Sequence, residues 1–413
     1  MNFESAPAAQ TRKPRDPRLD FFRGAGMFII FIAHVPLNAW TLWIPARFGF
    51  SDATEIFVFC SGMASAIAFG RIFDDRGWWM GAARVSHRVW QVYWGHIALF
   101  LIVAAMMVTL DSTGWHAEAN HFRDRLNLGW FFDNTATNLV GLLTLTYVPN
   151  YFDILPMYLV ILALMPVVVL LGWQSRYLAA AFIAVVWLGA NFQLLSLPAE
   201  PWSDRQWFFN PFAWQLVFFS GFAFIRGWIP APPVDRRLVI GAIAVVVLTI
   251  PLAWFRIYTE VPLLQEWRTA LRPLIAKTEF GILRYVHFLV LAYLAWVAAG
   301  EGGRRLVSGG LWGKFVRVVQ KVGQQSLAVF LSSMVLAQFA GAVLDFIGRD
   351  MLTFALVNLT GCVILVGVAY TTAWYKSQPW RGPKPATLAR PAEDKRYTGA
   401  IQHSPEMTSA PRD

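Results

Sequence analysis

The stretch that decides the fold reads Arg-Leu-Asp-Phe-Phe-Arg-Gly-Ala-Gly-Met-Phe-Ile-Ile-Phe-Ile-Ala-His-Val-Pro and runs from Arg18 to Pro36. It places His34 in an apolar run suited to lipid, eleven positions after Arg23. At about 100° per residue, both side chains project from one stripe of a helix, roughly 16 Å apart along its axis. With Arg23 at the charged entrance, we expect His34 near the middle of a hydrocarbon core about 30 Å thick, in a helix that Pro36 loosens. An imidazole at that depth is a candidate functional residue; the alternative is a core histidine satisfied by a neighbouring helix.

The composition excludes an ordinary soluble domain. The 413 residues are 56% hydrophobic and only 15% charged, with a mean hydropathy of +0.46. Long apolar runs without two-residue alternation favour membrane helices over an outer-membrane barrel. The net charge of +10 does not indicate a nucleic-acid partner, because the Lys and Arg residues fall in short segments between apolar runs, where such residues orient membrane proteins.

We therefore predict an all-α membrane protein, a polytopic bundle of about ten transmembrane helices. The predicted spans are approximately 24–44, 53–71, 89–110, 152–172, 177–195, 210–228, 238–255, 283–300, 323–345 and 351–374. Five basic clusters, including that before the first span and that after the last, fall on one face, so the positive-inside rule places both termini in the cytoplasm.

The spans divide the chain into three predicted parts. Residues 1–20 form a cytoplasmic tail, 21–375 a transmembrane domain, and 376–413 a disordered cytoplasmic tail rich in Pro, Ser, Thr and charge. Residues 136–148 are apolar but too short to cross a membrane, so we expect a re-entrant or interfacial helix on the outer side.

Two carboxylates open the second span, Asp52 and Glu55, one helical turn apart. A short loop joins this helix end to the first span, so one carboxylate is expected to face His34. A carboxylate bonded to one imidazole nitrogen fixes the tautomer and leaves the other nitrogen as a general base. Asp52 is also a good helix N-cap, which is the simpler interpretation of that residue.

A cationic group is expected at the inner mouth of the bundle, where it would suit phosphates. The alternative for each arginine is a topology signal. The group comprises Arg18, Arg23, Arg84 and Arg88, with Asp20 beside them.

Polar and aromatic residues open two spans on the outer side and are candidates for contacts with sugar hydroxyls and sugar faces. They are Asp153 and Tyr158 in the fourth span, and Asn210, Trp214 and Gln215 in the sixth. A tryptophan at such a level is ordinarily an interfacial anchor. His287 in the eighth span is a second intramembrane imidazole, either part of the acceptor site or a core residue. No metal-ligand cluster, phosphate-binding glycine loop or serine-hydrolase motif is visible.

Several motifs resemble those of the membrane acyltransferase-3 superfamily, and more narrowly the OpgC group of osmoregulated periplasmic glucan succinyltransferases. The resemblance covers about residues 15–375 and is most specific in the first ninety or so. The motifs are the Arg23 to His34 spacing, Arg18 to Arg23, Trp43 to Glu55, Glu55 to Gly62, Arg84 to Arg88, Tyr151 to Tyr158, Asn210 to Gln215 and Gly323 to Phe330.

The resemblance implies a ten-helix enzyme of the bacterial inner membrane. It would take a succinyl group from cytoplasmic acyl-CoA, as a co-substrate and without a tightly bound cofactor, and esterify hydroxyls of periplasmic glucans. His34 would be catalytic, with Arg23 and Glu55 as its motif companions, although Glu55 stands where the superfamily often has Asp. Either direct transfer or an acyl-histidine intermediate is compatible with these residues.

A succinyl donor would need a cation for its free carboxylate, since burying an unpaired carboxylate is costly. Arg47, after the first span, and Arg284, one turn before His287, are candidates at the expected height; the alternative is an interfacial arginine that reaches water. The other class of function that these residues allow is a proton-coupled saccharide or polyol transporter. The inner arginines and the lack of an internal repeat argue against it.

Overall fold

The computed structural model describes residues 16–114 and 121–381. Within these ranges the chain is helical and contains no β-strand, apart from an isolated bridge between Pro198 and Gln206. The longer helices are α1 (Pro17–His34), α2 (Ala53–Ser65), α3 (Trp78–Asp111), α4 (Thr135–Thr144), α5 (Ile154–Gln174), α6 (Arg176–Asn191), α7 (Pro211–Ile225), α8 (Arg236–Ala253), α9 (Pro262–Ala270), α10 (Ile282–Ala299), α11 (Gly310–Gln324), α12 (Ser326–Ile347) and α13 (Met351–Ser377). The shorter helical turns are Ala39–Trp43, Pro45–Arg47, Ala66–Gly70, Arg71–Arg76, Phe122–Asn127, Gly129–Asp133, Phe255–Tyr258, Arg272–Ile275, Glu301–Gly303 and Pro379–Arg381.

Seven helical segments of the described chain are long and apolar enough to cross a membrane. They are Ala53–Arg76, Trp78–Asp111, Ile154–Gln174, Arg236–Ala253, Ile282–Ala299, Ser326–Ile347 and Met351–Arg381. The other three predicted spans correspond to α1, α6 and α7, of 18, 16 and 15 residues. The all-α membrane class is therefore confirmed, whereas the number ten and the side of the termini remain predictions.

The first helix ends at His34, so the predicted span of 24–44 is wrong beyond that residue. Its C-cap is Val35, whose N–H donates to the carbonyl of Phe31 at 3.2 Å. Pro36 has no N–H to continue the ladder, and Leu37 has a left-handed backbone with φ of +53°. His34 is consequently the last helical residue at a break in the chain, and not a residue within a continuous helix.

Asn38 and Arg349 stabilise this break by binding main-chain carbonyls on either side of it, and Asn358 holds the side chain of Asn38. Asn38 donates to the carbonyl of Ile32 at 3.0 Å and exchanges two hydrogen bonds with Asn358, at 2.8 and 3.1 Å. Arg349 donates to the carbonyl of Pro36 at 2.8 Å. Because buried backbone groups without a partner are costly, these contacts fix the position of the His34 turn.

Close helix packing surrounds α1, which contacts α2, α11 and α12. A side-chain carbon at Gly24 would lie 2.0 Å from the carbonyl oxygen of Val319, and one at Gly323 would lie 2.0 Å from that of Asp20. Only glycine permits α1 and α11 to approach so closely, as is usual where membrane helices pack through small residues.

The described residues divide into a large compact unit that ends at residue 372 and a small one that begins at Ala373. In the small unit, residues 373–381 are described, and the rings of Trp374, Tyr375 and Trp380 pack on one another. Most of the two predicted tails, residues 1–15 and 382–413, lies outside the described residues. The predicted short outer helix at 136–148 is observed as α4, of ten residues; its place in the membrane stays a prediction.

Candidate functional site

The candidate site lies around the ring of His34, where α1 ends. Nδ1 of His34 is 2.7 Å from the carbonyl oxygen of Ile30, one turn earlier in the same helix. A carbonyl oxygen can only accept, so Nδ1 carries the proton, and in the neutral ring Nε2 is the nitrogen with a free lone pair. The half-buried ring of His34 meets the ring of Tyr151 edge-on, with centroids 5.3 Å apart.

This geometry corrects one expectation from the sequence. We predicted that a carboxylate of α2 would hold the tautomer of His34, but the main-chain carbonyl of Ile30 does so. The tautomer is therefore set within α1 itself. The ring of Tyr151 is held in turn by its hydroxyl, which donates to the carbonyl of Met334 at 2.5 Å.

Asp52 is the N-cap of α2, as its simpler interpretation predicted. Its carboxylate accepts from the N–H of Thr54 at 2.7 Å and from the ammonium of Lys277 at 2.5 Å. Burial opposes the ionisation of Asp52, but Lys277 and Arg284 outweigh it and hold the pKa of this carboxyl below its ordinary value. Asp52 and Lys277 both interact electrostatically with His34.

Glu55 completes the capping box and forms a second ion pair. One carboxylate oxygen accepts from the N–H of Asp52 at 2.7 Å, and the other accepts from Nη1 of Arg284 at 2.7 Å. The side chain of Glu55 is wholly shielded from solvent. Glu55 is therefore directed towards α10 and away from a direct bond to His34.

Two carboxylates at the start of α2 are thus each paired with a cation, and the pair of Asp52 and Lys277 is the one that lies near His34. Sequence reasoning found Asp52, Glu55 and Arg284 but assigned no role to Lys277. The signal that could have found Lys277 is charge balance, because two carboxylates at a helix end require more than one cation when they are buried.

His287 belongs to the same region and packs against the loop before α2. Its Nδ1 is 2.8 Å from the hydroxyl oxygen of Ser51, and its ring occupies the space that a side chain at Gly49 would take. The ring is buried, and Nε2 has no hydrogen-bond partner in the described residues. His287 therefore helps to position the residues that precede Asp52.

The predicted donor-side arginines separate into two groups. The guanidinium of Arg23 lies near Asp20 and Tyr158, which favour its charge, and near Arg88, a like charge that repels it. Arg18 instead pairs with Asp16 at 2.5 Å. Arg84 lies over the ring of Phe69, 5.5 Å from its centroid. The structure thus brings together Arg23, Asp20 and Arg88, with Tyr158 from the predicted acceptor side.

The predicted acceptor-side residues of α7 are buried and bind main chain. Asn210 caps α7 through the N–H of Phe212 and donates to the carbonyl of Leu195 at 2.7 Å. The indole of Trp214 donates to the carbonyl of Lys277 at 2.8 Å. Trp214 thereby fixes the backbone that carries Lys277, which is a positioning role that the sequence did not suggest.

Three further predicted residues also bind main chain. Asp153, which is buried, accepts from the N–H of Phe208 at 3.2 Å. Gln215 donates to the carbonyl of Ile183 at 2.8 Å, while its amide oxygen has no partner in the described residues. Arg47 donates to the carbonyl of Thr41 at 3.1 Å. Their contact with a sugar or an acyl group stays a prediction.

These observations define an integral membrane protein whose first helix ends at a histidine, near the ion pair of Asp52 and Lys277. The chain belongs to the OpgC protein family, whose model matches residues 15–377. This membership points to a transferase that modifies glucans. No curated protein and no solved structure matches the chain.

Proposed function

We propose that this protein is an O-acyltransferase of the bacterial inner membrane that moves a succinyl group from cytoplasmic acyl-CoA to hydroxyls of periplasmic glucans. The observation that carries the proposal is the hydrogen bond from Nδ1 of His34 to the carbonyl of Ile30. It leaves Nε2 as a general base whose orientation is fixed before substrate binds, and general-base catalysis is typically worth 10²–10⁴-fold.

The reaction needs one proton acceptor and one leaving group. Nε2 of His34 removes the proton from the glucan hydroxyl as its oxygen attacks the thioester carbon. The tetrahedral intermediate then collapses, the carbon–sulfur bond breaks, and the thiolate of CoA takes the proton back from the imidazolium. The neighbouring carboxylates, Asp52 and Glu55, are each paired with a cation, Lys277 and Arg284, so neither is free to take the proton in place of His34.

The donor is expected to approach from the end of α1 that carries Arg23. The pantetheine arm of CoA is long and uncharged, so its phosphates can stay on Arg23 and Arg88 while the thioester reaches His34. The two side chains lie on one stripe of α1, roughly 16 Å apart along the axis. Only the acyl group then has to cross the membrane, which avoids moving a charged nucleotide through hydrocarbon.

The replacement His34→Ala tests the base. We expect it to insert and to bind acyl-CoA, but to lose transfer to glucan by 10²–10⁴-fold. The control is His121→Gln, because His121 lies in the segment between α3 and α4, outside the motifs that the site uses. Mass analysis of glucans from cells with and without the protein tests the substrates. Transfer by His34→Ala within a few-fold of the parent would exclude His34 as the base.

A proton-coupled saccharide transporter is the second candidate, favoured by the ion pair of Asp52 and Lys277 near a titratable histidine. In that case, vesicles containing the protein would take up saccharide together with protons. Glucans would carry the same substituents with and without the protein.

A further inference from the structure

A second feature is formed by the helix pair α8 and α10, on residues of α10 other than Arg284 and His287. Half of the residues of α8 are exposed, and Ala242 is its one buried residue. Between the two helices runs a groove of about 360 Å³. Because both helices are apolar enough to cross a membrane, this groove opens toward lipid.

The groove is shaped by small residues on one helix and branched residues on the other. A side-chain carbon at Gly241 would stand in open space, because no atom from the surrounding structure lies within 4 Å of its position. Val245 continues this face of α8, while Val286 and Leu289 form the facing wall on α10. From Arg237 to Val245 the helix rises about 12 Å, which suits an extended hydrocarbon chain.

One end of the groove is cationic. Arg237 lines it, Arg236 is adjacent, and in the described residues neither guanidinium has an ion-pair partner. The nearby carboxylate of Asp235 is occupied as the N-cap of α8, since it accepts from the N–H groups of Arg237 and Leu238 at 2.8 and 3.2 Å. The positive end of the α8 dipole adds to this field.

At the same end of the groove, a hydrogen bond links α10 to the segment before α8. The hydroxyl of Tyr293, on α10, donates to the carbonyl of Pro233 at 2.9 Å, which anchors the segment before α8. This contact fixes the position of Arg237 relative to the apolar part of the groove. An apolar channel that ends at a cation matches a molecule with a hydrocarbon chain and an anionic head.

We propose that this groove binds one anionic phospholipid, with an acyl chain against Gly241 and its phosphate at Arg237. A basic pocket between membrane helices is a recognised form of lipid-headgroup site. A second copy of the chain fits less well, because an identical surface would bring two arginines, Arg236 and Arg237, against the same two arginines, with the single carboxylate of Asp235 on each copy. The proposal is independent of the transfer reaction.

Native mass spectrometry of the purified full-length protein tests the site. Phosphatidylglycerol and phosphatidylcholine with identical acyl chains are supplied together, and the retained lipids are counted. We expect the parent to retain phosphatidylglycerol preferentially and Arg237→Gln to lower that retention about five-fold. Gly241→Leu, which fills the groove at a helical position where leucine is well tolerated, should lower the retention of both lipids.

Two matched controls accompany these variants. Arg176→Gln removes an exposed arginine from the first turn of α6, and Gly367→Leu fills open space on α13. Both should retain lipid as the parent does. If Arg237→Gln and Arg176→Gln lost phosphatidylglycerol equally, the preference would come from general surface charge and the proposed site would be wrong. The proposal would also be wrong if Gly241→Leu retained as much lipid as the parent. It would likewise be wrong if Gly241→Leu changed the oligomeric mass and left lipid retention unchanged, because the groove would then bind a second copy of the chain.

Discussion

Glu55 and Arg284 join two helices that are far apart in sequence through an ion pair of 2.7 Å, in which the carboxylate is completely shielded from solvent. The other oxygen of Glu55 is occupied by the N–H of Asp52. The pair therefore links the start of α2 to α10, and it fixes the helix end that lies beside His34.

We expect Glu55→Gln and Arg284→Gln each to lower the free energy of unfolding by about 3–5 kcal/mol, because each leaves the partner's charge buried and unpaired. The double replacement should cost clearly less than the sum. Unfolding in detergent measures all three variants. The control is Asp74 with Arg226, an ion pair of 2.5 Å whose carboxylate is 41% exposed, where breakage should cost at most about 1 kcal/mol. Additive effects at Glu55 and Arg284 would contradict the coupling.

The pKa of Asp52 predicts a dependence of stability on pH. Because its pKa is lowered in the fold, its ionised form stabilises the protein above the unfolded value of 3.8, and this contribution is lost as pH falls through the lower folded pKa. Asp52→Asn retains an N-cap oxygen but removes the charge. We expect the parent to be more stable than Asp52→Asn at pH 7, and the gap in thermal midpoint to close on acidification below about pH 4. A gap that stays constant down to pH 3 would contradict this assignment.

Arg88 and Arg84 allow a test of the donor site within one helix. The charge of Arg88 interacts with that of Arg23, whereas Arg84 lies over Phe69. We therefore expect Arg88→Gln to weaken binding of acyl-CoA by about 10-fold or more, as for the loss of a charge-assisted contact to phosphate, and Arg84→Gln to have a smaller effect. Titration of the inserted proteins with a CoA thioester measures this. If both variants bound the CoA thioester as tightly as the parent does, the two arginines would not be donor-site residues and would serve only to orient the protein in the membrane.

Arg47 is the remaining candidate for holding the free carboxylate of a succinyl group, since Arg284 is paired with Glu55. In the described residues, Arg47 has a main-chain acceptor at Thr41 and no ion-pair partner. We expect Arg47→Gln to lower the ratio of succinyl-CoA to acetyl-CoA turnover by about 10-fold, because a charge-assisted hydrogen bond would be lost. Arg272→Gln, at an exposed arginine in the turn between α9 and α10, is the control. An unchanged ratio would mean that the carboxylate is held elsewhere or that the natural donor carries none.

The family and the helical membrane class could be predicted from local features of the chain. The Arg23 to His34 spacing, the capping residue Asp52 and the long apolar runs each act within one helix, where periodicity and composition determine structure directly. The prediction for the first span failed at one point. A proline after His34 is compatible with a kink or with a helix end, and the choice depends on Asn358 and Arg349, which lie more than 300 positions away.

The sequence by itself determined which residues carry charge inside the apolar chain, because charged side chains in such segments are few and conspicuous. Only the tertiary structure decided how they are paired. Lys277 meets Asp52, Arg284 meets Glu55, and Trp214 binds the backbone of Lys277, through contacts between helices that no local pattern encodes. The physical reason is that buried charges seek partners across the packed bundle, and the order of helices in that bundle follows from close approaches such as that of Gly24 to Val319.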